Sequence, residues 1–410
     1  MIDDNTLSFV IVGHIDHGKS TLIGRLLYDT HSLPPDRIAE MQKASAQRGH
    51  ESEFAYLLDH LEEERKQGIT VDTTQVFFKT DKRHYVIIDT PGHVEFVKNM
   101  ITGASQAEAA VLIIDVVEGV KEQTRRHSYM LSLLGLAQVV VVFNKMDLVE
   151  YSRERFELVK ADALKFLASI NITPNVCIPI SAMKSDNVAD RSQNMDWYDG
   201  PTFLDSLDGL KNRQPVENKP LLLPIQDVYK VEDKRINVGR IEAGTINAGD
   251  DIEIVPTGLK TKVKSIERFG ENRTSAVASE CIGFTTSDAV FLDRGAIVCR
   301  PGKGPQLTDR IPASVFWMSK KPLSRDEKLT IRCATQETNC KIEQIKERIN
   351  SATLEVLEKD ADQLANLEVG EVIIKTKKPL AVKDFNDVQE LGRFVLVRDQ
   401  NICAGGIVTS

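Results

Sequence analysis

The chain has 410 residues, 41% of them hydrophobic, and a formal net charge of −8. That is enough chain for two to three domains with sizeable cores, and nothing in the composition suggests extended disorder. The negative balance argues against nonspecific duplex binding by a globally basic surface, while a local basic patch for RNA stays open.

The opening Met1-Ile2-Asp3-Asp4 is acidic and lacks the basic and apolar regions of a signal peptide, and no apolar run reaches spanning length. The expectation is a cytoplasmic protein without a membrane partner. The run Phe9-Val10-Ile11-Val12 then predicts a strand, and Leu22, Ile23, Leu26 and Leu27 predict a helix over 20–28. Between them lies Gly13-His14-Ile15-Asp16-His17-Gly18-Lys19-Ser20, with the spacing G-x-x-x-x-G-K-S. Strand, loop and helix in that order are what a phosphate cradle requires. Backbone N–H groups can wrap a polyphosphate, Lys19 can neutralise its outer charge, Ser20 offers a hydroxyl to Mg²⁺, and the helix points its positive end inward. The candidate nucleotide contacts here are Gly13, His14, Asp16, His17, Gly18, Lys19, Ser20 and Thr21. The loop does not choose between ATP and GTP.

Thr70, within Arg65-Lys66-Gln67-Gly68-Ile69-Thr70, lies in a polar stretch before the next strand. Either it completes a Mg²⁺ shell and orders the segment only while a γ-phosphate is present, or it simply starts a strand as β-branched residues do.

The strand Tyr85-Val86-Ile87-Ile88 runs into Asp89-Thr90-Pro91-Gly92-His93. Asp89, at a strand's carboxyl end, can reach Mg²⁺ through a water. Gly92 can bring a bare N–H to a γ-phosphate and rotate as a switch needs. His93 can position an attacking water, because phosphoryl transfer asks mostly for orientation and charge stabilisation.

Asn144-Lys145-Met146-Asp147 selects the base. A carboxylate at Asp147 can accept from both the ring N–H and the exocyclic amine of guanine, a donor pair that adenine lacks. Asn144 either braces the loop or touches the purine, and the aliphatic stem of Lys145 can lie across the ring. After a further strand at 176–180, Ser181-Ala182 can present a backbone N–H to the guanine oxygen. The four motifs together predict a GTP-hydrolysing switch domain with GTP and Mg²⁺ as its ligands.

Strands and amphipathic helices alternate to about Leu210, which predicts an α/β P-loop domain with a mostly parallel sheet and helices on both faces. The polar, two-proline stretch Lys211 to Pro220 reads as a linker. Beyond it, short β-branched runs at 236–241, 251–255 and 262–266 are punctuated by Gly244, Gly249 and Gly258, which is hairpin spacing for a small β-barrel. A second break at Arg300-Pro301-Gly302-Lys303-Gly304-Pro305 leads to strands at 329–333, 372–375 and 394–397. The predicted division is a GTP-binding domain over 1–210, a linker over 211–220, and two small β-barrel domains over 221–305 and 306–410. The six cysteines show no C-x-x-C pairing and read as reduced, mostly buried thiols rather than zinc ligands.

A switch domain followed by two barrels resembles the translation-factor superfamily of GTPases over essentially the whole chain. Within it, Gly24 to Asp29, Val120 to Ser128, Asp186-Asn187-Val188, Arg191-Ser192 and Trp197 to Pro201 resemble the large GTPase subunit of bacterial sulfate adenylyltransferase. Ser185 stands where that family usually has glycine. Asp16-His17-Gly18-Lys19-Ser20 is similar instead to the translation-factor loop, since the sulfate-activating subunit usually carries Asp-Asp-Gly-Lys-Ser, and Val94 to Met100 also follows the translation-factor version. The resemblance implies that Asp16, Lys19, Ser20, Thr70, Asp89, Gly92, His93, Asn144, Lys145, Asp147 and Ser181 serve the nucleotide. It also implies a small adenylyltransferase subunit as partner, in a heterodimer or higher assembly, with GTP hydrolysis driving formation of adenylyl sulfate from ATP and sulfate in sulfate assimilation. The alternative is an elongation factor that carries aminoacyl-tRNA to the ribosome. A nucleotide-binding scaffold without turnover is disfavoured by His93.

Overall fold

A computed structural model describes residues 6–33, 74–90, 107–136, 138–212, 216–231, 234–268 and 271–409. Thr70, Gly92 and His93 lie outside the described residues. The chain separates into two units, Met1–Arg213 and Gln214–Ser410.

In the first unit, strands rich in Val and Ile build one six-stranded sheet. Strand β1 (Thr6–Gly13) leads into helix α1 (Lys19–Asp29). Strands β2 (Thr74–Lys79), β3 (His84–Asp89) and β4 (Ala109–Asp115) follow, then helix α2 (Glu122–Leu133) and strand β5 (Val139–Asn144). Helix α3 (Arg153–Ser169), strand β6 (Val176–Pro179) and helix α4 (Phe203–Asp208) complete the unit. The order across the sheet is β2-β3-β1-β4-β5-β6. All pairings are parallel except the antiparallel edge pair β2–β3. Every residue of β4 and β5 is buried, as both-face coverage of a parallel sheet requires, and these strands read as unbroken apolar runs rather than alternating ones. Strand β1 lies between β3 and β4, so chain order reverses on either side of it, the switch point outside whose carboxyl ends open α/β sheets bind ligands.

Lys211 and Asn212, placed in the linker by composition, are held on this unit. Lys211 N–H donates to Gln138 Oε1 at 2.9 Å, and Asn212 Nδ2 donates to the Thr6 carbonyl at 2.8 Å.

The second unit holds two closed, mainly antiparallel barrels. In the first, strands Asp251–Val255, Ile297–Cys299, Leu222–Val231, Lys234–Arg240, Cys281–Thr286 and Leu259–Arg268 are neighbours in that order, and the last pairs back to the first. In the second, Leu329–Cys333, Arg393–Arg398, Asn401–Val408, Gln306–Trp317, Glu368–Val382 and Gln336–Asn350 close in the same way. Closure removes the exposed sheet edges that would otherwise template aggregation. Each barrel has its own apolar core, but a third cluster joins Leu222, Ala243, Ile297 and Cys299 of the first to Ala381, Val388 and Leu391 of the second. That shared apolar contact makes one unit of two regions which composition separates. All six cysteines are free thiols, four of them buried. No helix among the described residues is long and apolar enough to cross a membrane.

Candidate functional site

The loop after β1 is shaped by close packing. Gly13 ends the strand against β4, where a Cβ would lie 2.6 Å from the Ile113 carbonyl oxygen. His14 is extended, Ile15–His17 makes a 3-10 turn, and Gly18 takes φ 90°, a left-handed conformation that suits glycine. A Cβ on Gly18 would also meet Asn144 Nδ2 at 2.5 Å. Asp16 is exposed on the turn, His17 is wholly buried, and Lys19, Ser20 and Thr21 form the first turn of α1, whose leading N–H groups have no intrahelical acceptor.

Lys19 reaches back over the loop, its Nζ donating to the Gly13 carbonyl at 3.1 Å and the His14 carbonyl at 2.9 Å. Burial pushes its pKa down to about 8, against the opposing pull of Asp89 and Asp16. The ammonium is therefore poorly hydrated and held among carbonyls, a setting that favours an added anion. Asp89 is buried at the end of β3, and next to it Thr90 Oγ1 donates to the Ile11 carbonyl at 2.8 Å.

Asn144 joins three of the four motifs. Its Nδ2 donates to the His17 carbonyl at 2.9 Å, and its Oδ1 accepts from the Ala182 N–H at 3.0 Å. Of the two roles open to it, this geometry supports the brace. Lys145 adopts φ 67° and pairs with the buried Asp115 at 2.8 Å. A left-handed lysine persists only where its surroundings hold it, and here the ion pair does. Asp147 Oδ1 accepts from Ser181 Oγ at 2.6 Å, which sets the direction of the carboxylate. The Ser181 N–H donates to the Asp186 carbonyl at 3.1 Å, so both N–H groups that the sequence offers to a purine oxygen are engaged within the protein.

Three comparisons bear on this arrangement. Residues 4–226 match the family model described as the elongation factor Tu GTP binding domain. Residues 235–298 match elongation factor Tu domain 2, and 310–409 the GTP-eEF1A C-terminal domain-like family. The chain belongs to the translation-factor GTPases.

Among relatives of this translation-factor GTPase, elongation factor 1-alpha of Methanopyrus kandleri is 38% identical, over 97% of this chain and 96% of that one. The same factor from Thermoplasma acidophilum is also 38% identical, over 97% and 96%. Sulfate adenylyltransferase subunit 1 of Aeromonas salmonicida is 36% identical, over 97% of this chain and 85% of its own length.

Two features of this GTPase were not singled out as site residues by their sequence patterns. Asp115 closes β4; its Oδ1 accepts from the Val117 N–H at 2.7 Å while Oδ2 holds Lys145. An acidic residue at the carboxyl end of an apolar strand is the signal that would have found it. His127, on α2, is buried near the Gly13 backbone, and burial takes its pKa down to about 3. Burial also lowers His17 to about 4, and the two rings are neutral at physiological pH.

Beside the Ser181 loop, the 185–201 segment forms a hydrogen-bonded platform. Ser185 Oγ donates to Asp29, Asp186 accepts from Tyr151, Ser192 and Asn194, and Trp197 Nε1 donates to the Tyr151 carbonyl at 3.0 Å. Ser20 and Asp89 are hard oxygen donors and fit Mg²⁺.

Proposed function

We propose that the cradle holds the phosphates of GTP, that Asp147 reads the guanine edge, and that the chain hydrolyses GTP as a switch. The observation that carries this reading is Asn144, which hydrogen-bonds both the phosphate-loop turn and the Ser181-Ala182 loop. One side chain thus ties the candidate phosphate and base subsites together. Lys19 and the first turn of α1 receive the outer phosphates, and Thr21 supports that turn. Ser20 and Asp89, with Thr70, would hold Mg²⁺, which supplies charge neutralisation between the outer phosphates when bound. Gly92 contacts the γ-phosphate and His93 orients the water.

Within that activity, we infer that the chain is the GTPase subunit of a sulfate adenylyltransferase, working in the cytoplasm with a separate small adenylyltransferase subunit. The platform over 185–201 supports this, because Asp186 and Ser192, two residues of the narrower resemblance, are hydrogen-bonded to each other there. A second reading, delivery of aminoacyl-tRNA to the ribosome, is favoured by the loop Asp16-His17-Gly18 and by relatives that match nearly end to end.

The deciding experiment is affinity purification of the tagged chain from its native cells with a non-hydrolysable GTP analogue. Bound protein and RNA are then identified, and the recovered complex is assayed with GTP, ATP and sulfate. A stoichiometric partner and GTP-dependent adenylyl sulfate support the first reading, whereas enriched aminoacyl-tRNA without that product replaces it with the second.

A further inference from the structure

His17 is wholly buried, and its Nδ1 lies 3.3 Å from the carbonyl oxygen of Ile113. A carbonyl only accepts, so Nδ1 carries the ring proton and Nε2 presents its lone pair. That lone pair faces another acceptor: Glu118 Oε2 is 3.6 Å away, and among the described residues no donor reaches Nε2. The His14 ring lies alongside, its centroid 5.1 Å from that of His17, and its Nδ1 is likewise buried with no hydrogen-bond partner among the described residues. A ring nitrogen of each histidine and a carboxylate oxygen of Glu118 fall within 4.8 Å of one another. Three groups that can each offer an electron pair thus lie close together, an arrangement that a cation would stabilise.

We propose that His14, His17 and Glu118 form a binding site for one divalent transition-metal ion of the zinc or cobalt class. Two imidazoles and one carboxylate are the donor set of an open zinc-type site, and they disfavour Mg²⁺, which takes oxygen ligands. Bonds of about 2.0–2.1 Å in a tetrahedron place ligand atoms about 3.3 Å apart, close to the His17–Glu118 separation. Glu118 is partly exposed and supplies the remaining adjustment. The Nδ1 contact to Ile113 is the backbone hydrogen bond that orients metal-bound histidines. Glu118 is itself positioned, since Asp115 Oδ1 accepts from the N–H groups of Val117 and Glu118 at 2.7 and 3.4 Å. Lys121 lies 3.7 Å from Glu118 Oε2, a partly exposed pair that a divalent ion would displace.

The site uses none of the residues proposed to hold Mg²⁺, and its existence does not depend on the nucleotide reading. An ion there would pin the Ile15–His17 turn to the loop after β4.

The test is a titration of the chelator-treated, nucleotide-free full chain with Co²⁺, followed by visible absorption and then by displacement with Zn²⁺. The expected result is saturation at one ion per chain, with the strong bands of low-coordinate Co²⁺ and no thiolate charge transfer. Glu118→Gln, at a partly exposed position that should not disturb folding, is expected to weaken binding roughly tenfold or more, and His14→Gln to do likewise. Equal affinity in the wild-type chain and Glu118→Gln, binding through a thiolate, or no saturable binding would each overturn the proposal.

Discussion

The side-chain amide of Asn144 donates to the carbonyl of His17 at 2.9 Å across 127 positions of sequence. Both residues are buried, so removing the donor takes a hydrogen bond from a carbonyl that is away from water. Asn144→Asp places a carboxylate against that carbonyl and also removes the N–H. The expected cost is about 1–3 kcal/mol of stability, together with weakened nucleotide binding. Denaturant unfolding and fluorescent-nucleotide titration measure the two effects; an unchanged midpoint would show that the brace contributes nothing.

The contact between Ser181 Oγ and Asp147 makes the second prediction specific. Asp147→Asn should turn preference from guanine to xanthine, because the amide donates where the carboxylate accepted. The change in the GTP-to-XTP affinity ratio should be about 1–3 kcal/mol in each direction of the swap. Competition binding with the two nucleotides reads it, and a retained GTP preference would remove Asp147 from base recognition.

For His93, the expectation is a split between binding and turnover. His93→Ala should keep GTP affinity within a few-fold, roughly, and lower single-turnover hydrolysis by about a hundredfold or more. Normal hydrolysis in this variant would place water positioning elsewhere.

Burial holds His127 near 3 and His17 near 4, against an ordinary value of 6.5. The native state therefore binds fewer protons than the unfolded chain once pH drops below about 6.5, and stability must fall with acidification from there towards the lowered values. One such group contributes a slope of about 1.4 kcal/mol per pH unit. His127→Gln, a polar side chain that does not titrate, should flatten the acid limb by about that slope. Urea unfolding between about pH 5 and 7 in chelator-treated buffer measures this. Identical limbs in the two proteins would mean that His127 is already charged in the native state.

The strand runs, the glycine-punctuated hairpins and the loops at Gly13–Ser20, Asn144–Asp147 and Ser181–Ala182 were legible because each depends on residues a few positions apart. Strand β1 extends beyond its apolar run Phe9–Val12 to Thr6–Gly13, and α1 begins at Lys19, one residue before the predicted helix. End residues depend on pairing and capping, which apolar spacing does not record. Asn144 had two open roles in the sequence and has a bracing geometry in the fold, since both its acceptor and its donor sites lie on distant loops.

The sequence by itself determined the phosphate-loop pattern, the Asn144-Lys145-Met146-Asp147 motif and the change from α/β to all-β composition, since local spacing, backbone freedom and charge suffice for these. Only the tertiary structure decided that His127 lies behind Gly13, that Lys145 is held by Asp115, that His17 faces Glu118, and that the two barrels share an apolar contact. Those relationships arise when parallel strands distant in sequence are laid side by side and their carboxyl-end loops converge, and sequence periodicity carries no information on that order.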